Sequence, residues 1–255
     1  MIKTKVSKTD YSKIAEYYDK LRPAPADIWL SKIIEYGKIG ANCAVLDIGC
    51  GTGRFPIGIS TAKNPVICAL EPSTEMLKQA VAKDKSRGIL WVRGDGQKLP
   101  FRDNFFNCVY MTLVIHHIEN KEMTLQEIYR VLKKGGNCVI MTTSHYQMKK
   151  HALSRHFPGV TAIDLKRFPS VPTLKKTMIK IGFKDAYYHI VQHDEGCIPT
   201  DEYLERVRNK YISTLTLLSE EAFQRGLKIF QQRIRRKYGT RIRRILVFDF
   251  VVGQK

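Results

Sequence analysis

The run Val45-Leu-Asp-Ile-Gly-Cys-Gly-Thr-Gly-Arg54 constrains this chain most. An apolar stretch ends at Asp47, and glycines then alternate at 49, 51 and 53. An apolar run that stops at a glycine-rich turn reads as a buried strand passing into a helix. Glycine admits positive φ and lets a ligand lie directly on the backbone. A nicotinamide or flavin loop takes the spacing G-x-G-x-x-G, with a third glycine for helix packing. Here the glycines run G-x-G-x-G and position 54 is Arg, so that kind of loop is not indicated.

The rest of the chain supplies matching parts. Val66-Ile-Cys-Ala-Leu-Glu71 reads as a second buried strand ending in an acid, placed to accept hydrogen bonds from ribose hydroxyls. Pro72-Ser-Thr-Glu-Met-Leu77 opens a helix with Ser73 or Thr74 as N-cap. A third strand, Ile89–Arg93, runs into Gly94-Asp95-Gly96, and a fourth, Phe106–Thr112, runs toward His116 and His117. Ile128 onward reads as a helix end stopped by Gly135 and Gly136, followed by a fifth strand at Val139–Thr143. Pro172–Ile181 reads as a helix ended by Gly182, Phe183–Val191 as a sixth strand, and Ile245–Val252 as the last. Alternating strand and helix predict a parallel sheet with helices on both faces. Ligands of such sheets bind beyond the carboxyl ends of the strands, where strand order reverses. Asp47, Gly49, Glu71, Asp95 and His117 fall at or just beyond those ends.

These motifs, in this order, resemble the class I S-adenosylmethionine (SAM) methyltransferases, and among them the small-molecule enzymes of the ubiquinone/menaquinone-biosynthesis type. The resemblance covers roughly residues 11–145 and is architectural beyond. It implies an α/β, Rossmann-like, doubly wound sheet of seven strands, mostly parallel with an antiparallel last strand. SAM is the implied cofactor. Its methionine portion would lie on Gly49, Cys50, Gly51 and Gly53 beside Asp47, with its ribose on Glu71. Its adenine would lie near Pro72 and Met76 and meet Asp95, flanked by Gly94 and Gly96. Thr112 and Leu113 would line the cofactor near the methyl. Tyr11, Tyr17, Tyr18 and Arg22 resemble the family's lid, with Tyr18 and Arg22 reaching the cofactor and Arg22 pairing with its carboxylate in a forked geometry. Singly, each residue has a plainer alternative: Asp47 caps a turn, Glu71 is a surface acid, Asp95 shapes Gly-Asp-Gly, and Arg22 sits at a helix C-terminus where cations are favoured.

Methyl transfer from SAM is a displacement to which the protein adds orientation and a dry site. A hydroxyl or ammonium acceptor also needs a base, for which His117 is the first candidate and His116 the second. A packing histidine is the alternative. His145, His151 and His156 fall in a stretch, 144–170, without clear period, read as a long functional loop. His189 and His193 would stand ~13 Å apart on a strand. No metal is expected.

The domain reading is a single methyltransferase domain over 1–255. It comprises an N-terminal helical lid (1–40), a SAM-binding core (41–145) and a helical insert (194–241) before the last strand, in which Thr200 and Ser219 start helices. With 44% hydrophobic and 26% charged residues the composition is that of a globular protein. No apolar run reaches the ~18 residues of a membrane span, and the N-terminus lacks a secretion signal's apolar centre, so a cytoplasmic protein is expected. The six cysteines, at 43, 50, 68, 108, 138 and 197, form no Cys-x-x-Cys pair and read as reduced.

A formal net charge of +19 is the composition's one oddity. It admits an anionic small acceptor, an anionic surface, nucleic acid, or no partner at all. The leading function is methylation of a small-molecule acceptor by direct displacement. The alternatives are an RNA (tRNA or rRNA) methyltransferase and a non-catalytic SAM-binding protein. Against RNA, the fourth strand ends Met-Thr-Leu-Val-Ile-His-His, not in an Asn/Asp-Pro-Pro-aromatic grip, and no Pro-Cys or Thr-Cys nucleophile occurs. Monomer and homodimer both remain open.

Overall fold

The computed structural model describes residues 11, 14–16, 18–22 and 25–255. Tyr17 and Pro23 lie outside the described residues. Among these residues the strands are β1 (Ala44–Ile48), β2 (Val66–Glu71), β3 (Ile89–Arg93), β4 (Phe106–Thr112), β5 (Leu132–Thr142), β6 (Lys184–Pro199) and β7 (Arg241–Gln254). The helices of the first half are α1 (Tyr18–Leu21), α2 (Asp27–Gly37), α3 (Arg54–Lys63), α4 (Thr74–Lys83) and α5 (Lys121–Val131). Those of the second half are α6 (His145–Lys150), α7 (Ala152–His156), α8 (Val160–Arg167), α9 (Val171–Ile181), α10 (Thr200–Arg208), α11 (Ser213–Thr216) and α12 (Glu220–Tyr238). A 3-10 turn holds Ile115–His117.

The strands form one sheet in the order β3-β2-β1-β4-β5-β7-β6. β1 pairs in parallel with β2 and with β4, so strand order reverses between β1 and β4. β2–β3 and β4–β5 are also parallel, and β7 runs antiparallel between β5 and β6. This is the expected doubly wound sheet with its antiparallel last strand. Alternation along β1 sends Leu46 and Ile48 to one face, against α5 and α9 through Leu125, Ile128, Leu174 and Met178. Val45 goes to the other face, against Trp29 and Ile33 of α2 and Ile59 of α3.

Several boundaries differ from the sequence reading. The helix expected to end at Gly135 and Gly136 ends at Val131. Opposite β4, Phe106 pairs with Leu132 but Cys108 with Asn137, so Lys133–Gly136 bulge out of β5. The glycines serve that bulge: a Cβ at Gly136 would stand 2.9 Å from the Lys133 carbonyl oxygen. Residues 144–170 are not a long loop but hold α6, α7 and α8. No helical period shows there because the three helices are short and separated by His151, Phe157 and Gly159. Their apolar residues, Leu153, Phe157 and Val160, share a core with Tyr203, Leu204, Phe223, Leu227 and Phe230 of α10 and α12.

Strands β6 and β7 run longer than expected. β5 pairs only with the 249–254 stretch of β7, while β7 continues against β6 as far as Arg241 opposite Pro199. The result is a two-stranded ribbon carrying α10–α12. Ser73, Ser170 and Ser219 cap α4, α9 and α12 by accepting from the backbone N–H of Met76, Thr173 and Ala222. Of the six free cysteines, 50, 68, 108 and 138 are buried as expected. No helix among the described residues is long and apolar enough to cross a membrane.

Helix α12 crosses Phe157 at Gly226, where an added Cβ would stand 2.4 Å from the ring. Phe157 stacks on Phe223 and tilts against Phe230, so it has no room to withdraw. Gly226→Ala should therefore destabilise the protein by up to about 2 kcal/mol in urea titration. Overpacking of roughly 1–3 kcal/mol outweighs the about 1 kcal/mol that alanine adds in helix propensity.

Candidate functional site

The glycine loop leaves β1 and is pinned by Gly49 and Cys50, whose N–H groups both donate to the Leu70 carbonyl at the end of β2 (2.7 and 3.0 Å). All three glycines have positive φ. A Cβ at Gly49 would clash with Val114 at 2.5 Å, and one at Gly53 with Trp91 at 2.6 Å. At Gly51 it would meet nothing within 4 Å. The outer glycines are thus required by packing, and the middle one faces open space.

Asp47 is fully buried, and neither carboxylate oxygen has a hydrogen-bond partner. Register places it between Ala69 of β2 and Tyr110 of β4. Burial drives its carboxyl well above the usual carboxylate range; the neighbouring Tyr110 hydroxyl eases this without reaching hydrogen-bond geometry, and the Glu71 charge adds to it. A buried carboxylate without a donor is costly, and SAM carries an ammonium that is such a donor. Cys50 beside it is buried, and its thiol is pushed well up by burial and by both carboxylates.

Glu71 ends β2 only 7% exposed. It is not a surface acid: Oε2 accepts from the Gly51 N–H at 3.0 Å and Oε1 from the Ser73 N–H at 3.1 Å. Burial raises its pKa against those two bonds. Met76 is buried behind it, and Pro72 is exposed at the rim. Asp95 is exposed past β3 and accepts from the Gln97 backbone and side chain, both at 3.0 Å. Gly94 and Gly96 lie against Leu70 and Ile48. Thr112 and Leu113 are half-buried at the end of β4, and Leu113 holds φ at +56°, a conformation strained for a branched residue.

The N-terminal segment lies over this edge. Thr52 of the glycine loop donates to Asp19 at 2.6 Å, and Lys83 of α4 pairs with the same carboxylate. Arg22 donates from Nε to the Tyr211 carbonyl (2.7 Å) and from Nη1 to the Tyr18 hydroxyl (2.6 Å). Arg22 and Tyr18 thus link α1 to the segment between α10 and α11, a contact that spacing alone does not suggest.

His116 and His117 are adjacent in the 3-10 turn, and their rings stay in contact, with centroids 4.0 Å apart and planes tilted by 43°. His116 is buried and stacked on Phe168 at 3.8 Å. Its pKa falls well below the usual value, first through burial, then through His117, Arg167, Arg22 and Lys121. His117 joins a polar chain: Nε2 lies 2.8 Å from the Tyr11 hydroxyl, and Nδ1 lies 3.2 Å from Arg167 Nη2. Arg167 also donates to Ser213 (3.1 Å) and Thr214 (3.2 Å), and Thr214 donates to Asp164. Burial pushes the Tyr11 phenol up to about 12; Tyr18 adds to this, and Arg22, Ser213 and Arg167 oppose it. Sequence reasoning missed Asp164, Arg167, Ser213 and Thr214, which no motif marks. The other histidines pack elsewhere: His145 on the Phe168 carbonyl, His189 on Tyr36, and His193 on Trp29. His151 is held down to about 4 by burial and Arg244.

The family described as "Methyltransferase domain" matches residues 46–140, the span from β1 to β5. The chain is a class I S-adenosylmethionine-dependent methyltransferase, an enzyme that takes SAM as cofactor and methylates a small molecule. It is 27% identical over 216 residues to the ubiquinone/menaquinone biosynthesis C-methyltransferase of Blochmanniella floridana, covering 73% of this chain and 85% of that protein. It is 28% identical over 216 residues to the demethylmenaquinone methyltransferase of Lactococcus lactis, covering 74% and 85%. In fold it is similar to a putative methyltransferase of an antibiotic biosynthesis pathway from Anabaena variabilis (TM-score 0.70, 20% identity, 91% of this chain and 98% of that one). A second similar structure is the phosphoethanolamine N-methyltransferase 2 of Haemonchus contortus, solved with SAM (TM-score 0.61, 20% identity, 99% of this chain and 61% of that one).

Asp47 yields a prediction for the ligand-free protein. Between the ordinary Asp pKa of about 3.9 and its raised folded value, the folded chain holds a proton that the unfolded chain has lost. Stability therefore falls as pH rises through that interval. Asp47→Asn should raise the ligand-free melting temperature at neutral pH, by roughly 2–4 °C for each kcal/mol recovered, and flatten its pH dependence. A melt series across pH on both proteins checks this.

Proposed function

We propose that SAM lies along the edge formed by the ends of β1, β2, β3 and β4, and that the acceptor is a small phenolic ring of the quinol class. One observation carries the cofactor placement: a buried carboxylate without a donor, Asp47, beside a loop whose middle glycine faces open space. Gly49, Cys50, Gly51 and Gly53 receive the methionine portion, with Asp47 accepting from its ammonium. Glu71 turns its remaining lone pairs to the ribose hydroxyls. Pro72, Met76, Gly94, Asp95 and Gly96 bound the adenine. Thr112 and Leu113 border the reacting methyl, with Tyr18 and Arg22 above. Arg22, held to Tyr18 and Tyr211, braces the lid and offers its remaining donors to the cofactor carboxylate.

Bound SAM supplies an activated methyl together with its leaving group. The chain's own part is to orient and to exclude water. The described part of the N-terminal lid and the insert do this by meeting over the edge, Arg22 on Tyr211, while Arg167 of α8 holds the insert through Ser213. The acceptor lies beside Tyr11 and His117, past the end of β4. Its class is supported by the names of the two relatives and by the cations Arg22, Lys121 and Arg167 near His116, which suit an anionic ring oxygen.

Glu71→Ala should weaken binding of S-adenosylhomocysteine by roughly tenfold to a hundredfold, the worth of a charge-assisted hydrogen bond, with the melting transition intact. Calorimetry reads the affinity. Unchanged affinity would make Glu71 only a brace for Gly51.

A further inference from the structure

We infer that the acceptor is methylated as a pre-formed oxygen anion held by the Tyr11 hydroxyl, and that His117 and Arg167 position that hydroxyl and take no proton. The inference rests on the placement of the acceptor beside Tyr11 and His117. It replaces the sequence-based expectation of a histidine base with a different division of labour.

The valence of the network decides it. Arg167 Nη2 stands 3.2 Å from His117 Nδ1. A guanidinium has donors only, so Nδ1 accepts and carries no proton. The proton of the neutral ring therefore sits on Nε2, 2.8 Å from the Tyr11 oxygen, and is donated to it. Both ring nitrogens are engaged, and no lone pair is left to receive a proton from an acceptor. The Tyr11 oxygen takes the histidine's hydrogen bond, which leaves its own O–H to donate. Ser213 lies within its reach and in turn accepts from Arg167. With its pKa pushed up to about 12, Tyr11 is a phenol at neutral pH, a donor and not a base.

Arg167 cannot swing aside cheaply. It is buried to 7% exposure, donates to Thr214 and Ser213, and lies 3.8 Å from the Asp164 carboxylate. Among the described residues, charged and titratable groups around this network include Tyr11, Tyr18 and Arg22 from the N-terminal segment, and His116 and Lys121 from the turn and α5. Asp164 and Arg167 join them from α8. Asp164 is answered by Arg167, which leaves Arg22 and Lys121 as uncancelled positive charge within this set. Those cations favour the anion of an oxygen acid, as Arg22 and Arg167 do for the Tyr11 phenol against the burial that raises its pKa.

The step then balances without a base. The acceptor's electron pair forms the new bond to the methyl carbon as the carbon–sulfur bond breaks onto sulfur. For transfer to the oxygen the anion's negative charge and the sulfonium's positive charge cancel and no proton changes hands; for transfer to a ring carbon of a phenolate the product is a neutral dienone, whose ring C–H proton leaves afterwards to water. A phenolate, an enolate or a carboxylate meets this requirement. An ammonium or a neutral alcohol does not, because each must shed a proton that neither His117 nor Tyr11 accepts.

Ring-nitrogen magnetic resonance of the full-length, ligand-free protein tests the central claim, with the His117 signal assigned by its loss in His117→Gln. The expected result is the Nε2-protonated tautomer. Proton on Nδ1 would leave Nε2 free as a base and overturn the inference. Arg167→Met should release the tautomer; if that variant does not fold, the wild-type spectrum still decides. A second arm uses 4-nitrophenol on protein saturated with S-adenosylhomocysteine, at a pH where the free phenol is mostly neutral. The expected result is the phenolate absorption on binding, with affinity lowered ~tenfold or more by Tyr11→Phe. A neutral bound phenol, no binding, or indifference to Tyr11→Phe counts against the inference. Calorimetry of S-adenosylhomocysteine on the same sample keeps the two readings apart: failure there strikes the cofactor placement and leaves the tautomer result standing.

Discussion

Parallel pairing of β1 with β2 on one side and β4 on the other is the constraint on which the site depends. It brings the ends of strands far apart in sequence to one edge. It stacks Asp47 beside Tyr110, and it lets the Leu70 carbonyl hold the start of the glycine loop from the neighbouring strand. Glu71, one residue further, then reaches the loop's middle amide. Shifting β2 by one residue would exchange Leu70 and Glu71 across the sheet and undo both contacts.

The same edge gathers three departures from ordinary folding rules. Asp47 is buried without a donor, Glu71 is buried with only backbone donors, and Leu113 is held at positive φ. Glu127 is satisfied by Arg130 and Asp84 by its turn, and the buried Asp249 and Asp164 have donors in the Ser144 N–H and the Thr214 hydroxyl. Such a concentration of departures marks a site shaped for a ligand at the expense of the ligand-free fold.

Much of this was legible in the sequence. The strands of the core announce themselves as apolar runs broken by Gly or an acid, because buried parallel strands have no polar face. The glycine loop, Glu71 and the serine caps were legible for the same reason: each residue type answers a local backbone need. The second half was less so. Residues 144–170 concealed three helices, since Leu153, Phe157 and Val160 bury themselves against a distant insert and not along one helix face. Arg167 could not be found at all. Its role comes from a hydrogen bond to a histidine 50 positions earlier, and an arginine in a basic chain carries no mark of such a partner. Tyr11 stood out only as one of several lid tyrosines.

The ribbon of β6 and β7 has a consequence for how such a chain diversifies. Pro199 and Arg241 face each other in register, and the Thr200 N–H donates to the Thr240 carbonyl at 2.8 Å. The chain thus leaves the ribbon and returns to it one strand spacing apart, about 5 Å. Whatever lies between those two points is topologically a hairpin tip of arbitrary size. The helices there have their own apolar core, shared with α7 and α8 and, within the sheet, with Ile198 and Ile242 of the ribbon. One helical cassette could be exchanged for another at that junction without disturbing a single hydrogen bond of the central strands.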